Sequence, residues 1–299
     1  MSKIRKADEV IIPENVVGMI YGEAGLGKST LALSAPKPLL IDTDGGVHRI
    51  QAEYRTDTVQ VESYQDIIDV LEEDLSNYET IVIDTFGNLV KFMLVYFSEK
   101  DPKLLTRGGT YNIKIWGLVK AEFSMLATKL RGLGKSLIFV AHQSEERSGE
   151  ETKIRIKAQG GAKDDVLEIL DFLGYMEMFG KRRSISFTPN STRFAKNSIK
   201  LDDLIQIPVL EDGQPNDFLE KEIIQKSLER RLQEQKDNKI KNEQLKQARA
   251  LVAATGSNPN KCLEELKKVE LCNAVKIMIF GEIKNSTDMK WNVEKGVFE

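Results

Sequence analysis

The sequence predicts an α/β domain, a mostly parallel sheet with helices on both faces, followed by a small C-terminal helical appendage. Three observations predict it. Short apolar runs alternate with stretches of helical spacing through most of the chain. A glycine-rich loop, GEAGLGKST, stands between the first apolar run and the first helix. Three later runs lead to Asp44, Asp84 and Gln143, which gathers polar groups beyond strand ends, where such sheets bind ligands.

The first run, Val16 to Tyr21, reads as a buried strand. The loop behind it, Gly22, Glu23, Ala24, Gly25, Leu26, Gly27, Lys28, Ser29 and Thr30, fits the G-x-x-x-x-G-K-[ST] phosphate-binding pattern. Glycines at 22, 25 and 27 let backbone N–H groups reach an anion without Cβ clashes. A helix beginning at Ser29 turns its N-terminus to the same anion. Lys28 is expected to neutralise the β- and γ-phosphates, and the Ser29 hydroxyl to ligate Mg²⁺. A chance match in a chain of this length is on the order of 1%, so a nucleoside triphosphate site is expected.

After Pro36-Lys37-Pro38, Leu39 to Ile41 resumes as a strand ending in Asp42-Thr43-Asp44-Gly45-Gly46. Thr58 to Val61 is a further strand, and Gln65 to Leu75 has helical spacing. Thr80 to Thr85 is an apolar strand with a carboxylate at its tip, and Leu89 to Phe97 is helical. Asp101 to Thr110 has the glycines and proline of a loop. Ile113 to Leu130 is a helix closed by Gly132 and Gly134. Ser136 to Ala141 is the next buried strand, ending in His142-Gln143, and the charged stretch Ser144 to Gly161 is expected to be a mobile loop. Val166 to Phe179 reads as a helix running into a strand, and Arg183 to Phe187 as a hairpin arm.

From Gln214 the character changes. Phe218 to Ala250 is dense in Lys, Glu, Gln and Arg, with Leu219, Ile223, Ile224, Leu228 and Leu232 at helical spacing. Gly256 to Asn260 is a turn, and Cys262 to Ile279 forms one or two short helices. The expected division is a P-loop domain at 1–214 and a charged helical region at 215–299. Across 299 residues, 41% are hydrophobic and 30% charged, and the net charge is −3. That balance does not by itself indicate a nucleic-acid binder, so such a role must rest on local patches. No apolar run reaches membrane-spanning length and Met1 to Lys6 has no signal-peptide core, so a cytoplasmic protein with no membrane partner is expected. Cys262 and Cys272 lack a C-x-x-C pattern and are read as buried free thiols, with neither zinc nor disulfide.

At the strand tips, Asp84 has the position of the carboxylate that holds the Mg²⁺ shell. Asp44 lies where a group must orient or deprotonate the attacking water, with Asp42 as a more interior, structural competitor. The bland alternative for Asp44 is that it opens the turn at Gly45 and Gly46. The Gln143 amide is placed to sense a γ-phosphate, and His142 is a second polar contact or a strand-end residue satisfied by backbone. Lys181, Arg182, Arg183, Arg193, Lys196 and Lys200 cluster with no acidic residue among them, either as a phosphate-facing patch or as a solvated face. The stretch after Gln143 offers Arg147, Lys153, Arg155 and Lys157, without aromatic residues for base stacking.

In order, the blocks GEAGLGKST, LLIDTDGG, TIVIDT, SLIFVAHQ and the basic RFAKNS resemble the RecA-like core, in particular that of compact phage-encoded RecA-like single-strand annealing ATPases. They span roughly residues 10 to 205. The resemblance implies an ATP- and Mg²⁺-dependent ATPase that binds single-stranded DNA, is stimulated by it, and promotes annealing or strand exchange. Asp44 falls where the family holds a catalytic glutamate, here shortened to aspartate. Asp84 falls on the Mg²⁺-shell aspartate, and Gln143 on the glutamine that opens the second DNA-binding loop. Lys196 falls near the basic residues that reach a neighbouring subunit's ATP. Asp101 to Thr110 and Ser144 to Gly161 match the DNA-binding loops by position. A homo-oligomer, filament or ring, is implied, with ATP between subunits. A ring-helicase motor and a nucleotide-switched interaction module are the rival readings. The helical tail is expected to dock a single-stranded-DNA-binding protein, or to act as a solubilising or self-associating helix.

Overall fold

Apolar runs long enough to be covered on both faces become the central strands. In the computed structural model, β1 (Val17–Gly22) is buried along its whole length, as a strand between two helical layers must be. The structure describes residues 10–148 and 151–299; Met1 to Lys6 and two residues of the expected mobile loop lie outside them. Two compact units result: Pro13–Glu229, and Arg230–Glu299 with residues 10–12.

In the first unit, β2 (Pro38–Asp42), β3 (Thr58–Gln60), β4 (Thr80–Asp84), β5 (Ser136–Ser148), β6 (Glu151–Ile156), β7 (Phe172–Phe179), β8 (Arg182–Ser186), β9 (Lys196–Asn197) and β10 (Leu204–Ile207) join β1 in one ten-stranded sheet. Its order is β10-β8-β7-β1-β5-β4-β2-β3, with β6 added to β5 and β9 to β7. From β7 to β3 every pairing is parallel; β8, β9 and β10 close one side antiparallel. Alternation along β1 divides the core. Val17, Met19 and Tyr21 face a cluster with α2 (Tyr64–Val70), α3 (Phe86–Lys100) and α4 (Ile113–Gly132), while Val16 and Ile20 face the other. On that second face lie the phosphate-loop helix α1 (Lys28–Ala32) and a π-helical stretch, Leu219–Gln225.

That π-helical stretch explains where the units divide. Composition changes at Gln214, yet Leu219, Ile223 and Ile224 are buried in the core of the first unit. The division therefore falls between Glu229 and Arg230, inside α6 (Lys226–Thr255). The second unit completes α6 with α7 (Pro259–Leu266), α8 (Asn273–Asn285) and a two-stranded ribbon of β11 (Trp291–Asn292) and β12 (Val297–Phe298). Leu245, Ala248, Val275, Ile279 and Phe298 form its core. Cys262 is buried there as expected, but Cys272, at the N-cap of α8, is exposed. No helix among the described residues is long and apolar enough to cross a membrane.

The stretch after Gln143 corrects the sequence reading. It is not a loop: β5 runs on to Ser148 and pairs antiparallel with β6, from Gln143↔Ile156 to Ser148↔Glu151. Lys153-Ile154-Arg155-Ile156-Lys157 alternates strictly, and Ile156 is buried, which drives the strand despite its charges. The segment Asp101 to Thr110 is ordered too. It holds a 3₁₀ turn at Pro102–Leu104, buries Leu104, and closes with a Leu105↔Tyr111 bridge.

Candidate functional site

The carboxyl ends of β1, β2, β4 and β5 open a cavity of about 430 Å³ whose walls include Lys28, Ser29, Asp42, Asp44, Asp84 and His142. Ala24, Gly25, Gly27 and Thr30 of the phosphate loop line it as well. Two of the loop glycines are required, Gly27 by its backbone conformation and Gly22 by its surroundings. Gly27 caps α1 in the left-handed region at φ 85°, and a Cβ there would stand 2.7 Å from Arg183 Nη1. Gly22 has φ 157°, and its Cβ would stand 2.3 Å from the Met176 carbonyl oxygen.

Lys28 is 5% exposed, and its ammonium donates to the Glu23 carbonyl at 2.5 Å. Burial pushes its pKa down, opposed by the negative charge of Asp84. The Ser29 hydroxyl donates to Asp84 Oδ2 at 2.5 Å, so the hydroxyl and the carboxylate expected around Mg²⁺ share one spot. Two hard oxygen donors beside a phosphate cradle fit that ion. Burial pushes the Asp84 carboxyl up to about 6, Asp44 and Asp42 add to the rise, and the Ser29 hydrogen bond opposes it.

Asp42 and Asp44 separate into two roles. The Asp42 carboxylate is buried and accepts backbone N–H bonds from Asp44, Gly46 and Val47 at 3.2, 3.0 and 3.0 Å. Burial alone would raise its pKa, but those donors hold it below the ordinary range. Asp42 thus folds the turn that carries Asp44. Asp44 stands in the cavity wall, its Oδ2 3.0 Å from Arg49 Nη2. The β2 and β4 tips are joined by Thr85 N–H donating to Thr43 Oγ1 at 2.7 Å, and Asn88 Nδ2 donates to the Thr43 carbonyl at 3.2 Å.

Strand alternation places His142 and Gln143 on opposite sides. His142 lines the cavity, where burial and the Lys28 charge push its pKa down. Gln143 is not in the cavity wall; its Nε2 meets Glu23 Oε1 at 3.4 Å, a contact between β5 and the phosphate loop. Lys196 stands apart from the cavity. It pairs with Leu173 on β7, level with the middle of β1, and its ammonium donates to the Leu167 carbonyl of the same chain at 2.7 Å. The rest of the basic segment is dispersed rather than pooled. Arg193 pairs with Glu177 at 2.8 Å and lies over the Tyr175 ring, while Lys181 and Arg182 are exposed. Arg183 alone reaches the phosphate loop, donating to the carbonyls of Leu26 at 3.4 Å and Pro208 at 3.2 Å. Nothing in its local sequence separates it from the neighbouring Arg182; only the β8 register does.

A family model described as an AAA domain matches residues 14–199. The chain belongs to this AAA-domain family. The match runs from β1 through β9, so the AAA domain includes the phosphate loop and every strand tip of the cavity, and the second unit lies outside it. The SPbeta prophage-derived uncharacterized protein YorG of Bacillus subtilis (strain 168) is 26% identical over 144 residues, covering 46% of this chain. The aligned part is 44% of that protein's length. Among solved structures, the RadB recombinase aligns at a TM-score of 0.38 and 16% identity, over 58% of this chain and 80% of that one. With its mostly parallel sheet, phosphate loop and strand-tip carboxylates, the AAA domain has a P-loop α/β architecture.

Proposed function

We propose that this chain hydrolyses ATP with Mg²⁺ and couples the nucleotide state to single-stranded DNA, promoting annealing or strand exchange. One observation carries the reading: Lys28, Ser29, Asp84 and Asp44 line one cavity at the ends of adjacent strands. Bound at Ser29 and Asp84, Mg²⁺ would supply charge neutralisation for the phosphates. Lys28 neutralises the β- and γ-phosphates, and Asp44 orients the attacking water and takes its proton. The Gln143–Glu23 contact supports coupling, because it ties the phosphate loop to the β5–β6 arm with its Arg147, Lys153, Arg155 and Lys157. The prophage relative is in keeping with a phage origin. In this reading the protein assembles as a filament or ring on DNA, and the helical unit docks a single-stranded-DNA-binding protein.

The test is ATP turnover with and without single-stranded DNA, alongside electron microscopy of the mixture. Stimulated turnover and filaments are expected. Lys28→Ala is expected to abolish ATP binding and ATP-dependent DNA binding together. Full ATP-dependent DNA binding in that variant sinks the coupling. Directional unwinding of a forked duplex would identify a helicase, and negligible turnover under all conditions a nucleotide switch.

A further inference from the structure

Across Asp44, Thr85 and His142, a second cavity of about 450 Å³ adjoins the phosphate pocket and shares those three residues with it. Its outer wall is built by Asn88 and Lys91 of α3 and by Lys157, which follows β6. The charge there is one-sided. Asp44 is the one carboxylate among the described lining residues, and Arg49 already engages it. Among the described residues, Lys91 Nζ meets only the Asn88 amide oxygen, at 3.1 Å, and the Lys157 ammonium makes no ion pair.

Lys91 and Lys157 are both exposed, but the backbone that carries Lys157 is fixed. Its N–H donates to the His142 carbonyl at 2.8 Å, and its own carbonyl presses on α3, where a Cβ on Gly87 would stand 2.9 Å away. Three residues on, Gly160 has φ 53° and leaves no room for a side chain, since a Cβ would stand 2.3 Å from the Trp116 ring. The segment is therefore held at both ends, which sets the backbone from which the lysine reaches the cavity lined by Asp44. Two ammonium groups and an amide around a polar cavity recognise a compact dianion.

We propose that this cavity is a phosphate site, in which Lys91 and Lys157 hold the inorganic phosphate released from the nucleotide before it leaves the protein. The inference rests on the ATP-hydrolysis reading. In that reaction the water oxygen bonds to Pγ as the Pγ–O bond to the β-phosphate breaks. ADP keeps the bridging oxygen with its electron pair, and the water proton passes to Asp44 and then to solvent. The freed hydrogen phosphate is repelled by the carboxylates and attracted across the shared wall to the two lysines. A DNA backbone phosphate has the same chemistry, but the shared wall with the nucleotide pocket favours the free ion.

Full-length protein loaded with ADP and Mg²⁺ is titrated with inorganic phosphate, and phosphate inhibition of ATP turnover is measured for wild type, Lys91→Ala, Lys157→Ala and Lys157→Arg. Each alanine variant is expected to weaken phosphate binding about tenfold, the loss of one charge-assisted contact, with ADP affinity unchanged; Lys157→Arg is expected to retain most of it. Unchanged phosphate binding in both alanine variants, with ADP affinity intact, overturns the proposal. So does a loss of single-stranded-DNA affinity in Lys157→Ala with phosphate binding unaltered, which gives the cavity to DNA. If an alanine variant fails to fold, Lys157→Gln and Lys91→Gln are held to the same two outcomes. Absence of turnover in wild-type protein defeats the hydrolysis reading instead, and the direct titration then still decides whether the cavity takes phosphate.

Discussion

Asp84 shows what the site costs the fold. Its carboxyl is 9% exposed and is pushed from an ordinary value near 4 to about 6, chiefly by burial. A carboxyl whose folded pKa is raised binds more protons folded than unfolded, so stability falls as pH rises through the window from about 4 to about 6. Above that window the buried charge is a standing penalty, on the order of 2–3 kcal/mol from the size of the shift. Asp84→Asn should therefore stabilise the ligand-free protein at pH 7 by up to that amount, while weakening Mg²⁺-dependent nucleotide binding. Below about pH 4 the gain should vanish, since both forms are then neutral there. Urea denaturation of the two proteins at pH 7.5, 6, 5 and 4 checks this; a gap independent of pH would mean that burial of the charge is not the cause. Asp42 is the contrasting case, a carboxylate whose desolvation is offset by three backbone donors. Two aspartates in one turn thus divide the work, one building it and the other available for chemistry.

At the scale of elements, β1 delivers the phosphate loop only because its neighbours fit around a strand with one side chain missing. Gly18 faces Phe172 of β7, which is fully buried, and a Cβ on Gly18 would stand 2.1 Å from that ring. The ring has no solvent into which to swing. Gly18→Ala should destabilise the AAA domain by about 1–3 kcal/mol, the usual cost of overpacking, read as a lower urea midpoint at unchanged slope. A midpoint equal to wild type would show that β7 yields freely. The strands around β1 are legible in the sequence, because continuous apolar runs between turn residues have one physical use in a sheet covered on both faces. The β5–β6 arm is not, although Lys153-Ile154-Arg155-Ile156-Lys157 carries period-two alternation; charge density hides it. The candidate site is legible where one strand tip decides it, as for Lys28, Ser29 and Asp84. It is not legible where pairing decides it. The phase of β5 turns His142 rather than Gln143 to the cavity, and β8 brings Arg183 to the Leu26 carbonyl across 157 residues of chain. Such approaches depend on register, which one segment does not specify.

At the scale of the whole molecule, one helix contributes to two cores and has no fully buried residue between them. Ile223 and Ile224 are buried in the first core, and Leu245 with Ala248 begins the second. From 228 to 244 no residue of α6 is buried. Over that stretch helicity draws on propensity, on a half-buried face at 228, 231, 235, 241 and 244, and on local pairs such as Gln233 Nε2 to Asp237 Oδ1 at 2.8 Å, each worth about 0.2–0.5 kcal/mol. A helix segment of this length with only a half-buried face gains little from packing, so local opening there should cost less than unfolding either core. Brief trypsin treatment is therefore expected to cut first at Lys236, Lys239 or Lys241, which are exposed or half-buried, and not within the sheet. Mass spectrometry should recover a fragment containing 13–229, and that fragment should bind ATP and melt cooperatively, because every strand of the ten-stranded sheet and the π-helical stretch that completes its second face lie within it. First cleavage inside the sheet, or a nicked protein whose ATP binding is lost with the C-terminal unit, would show that the AAA domain depends on the helical unit for its fold.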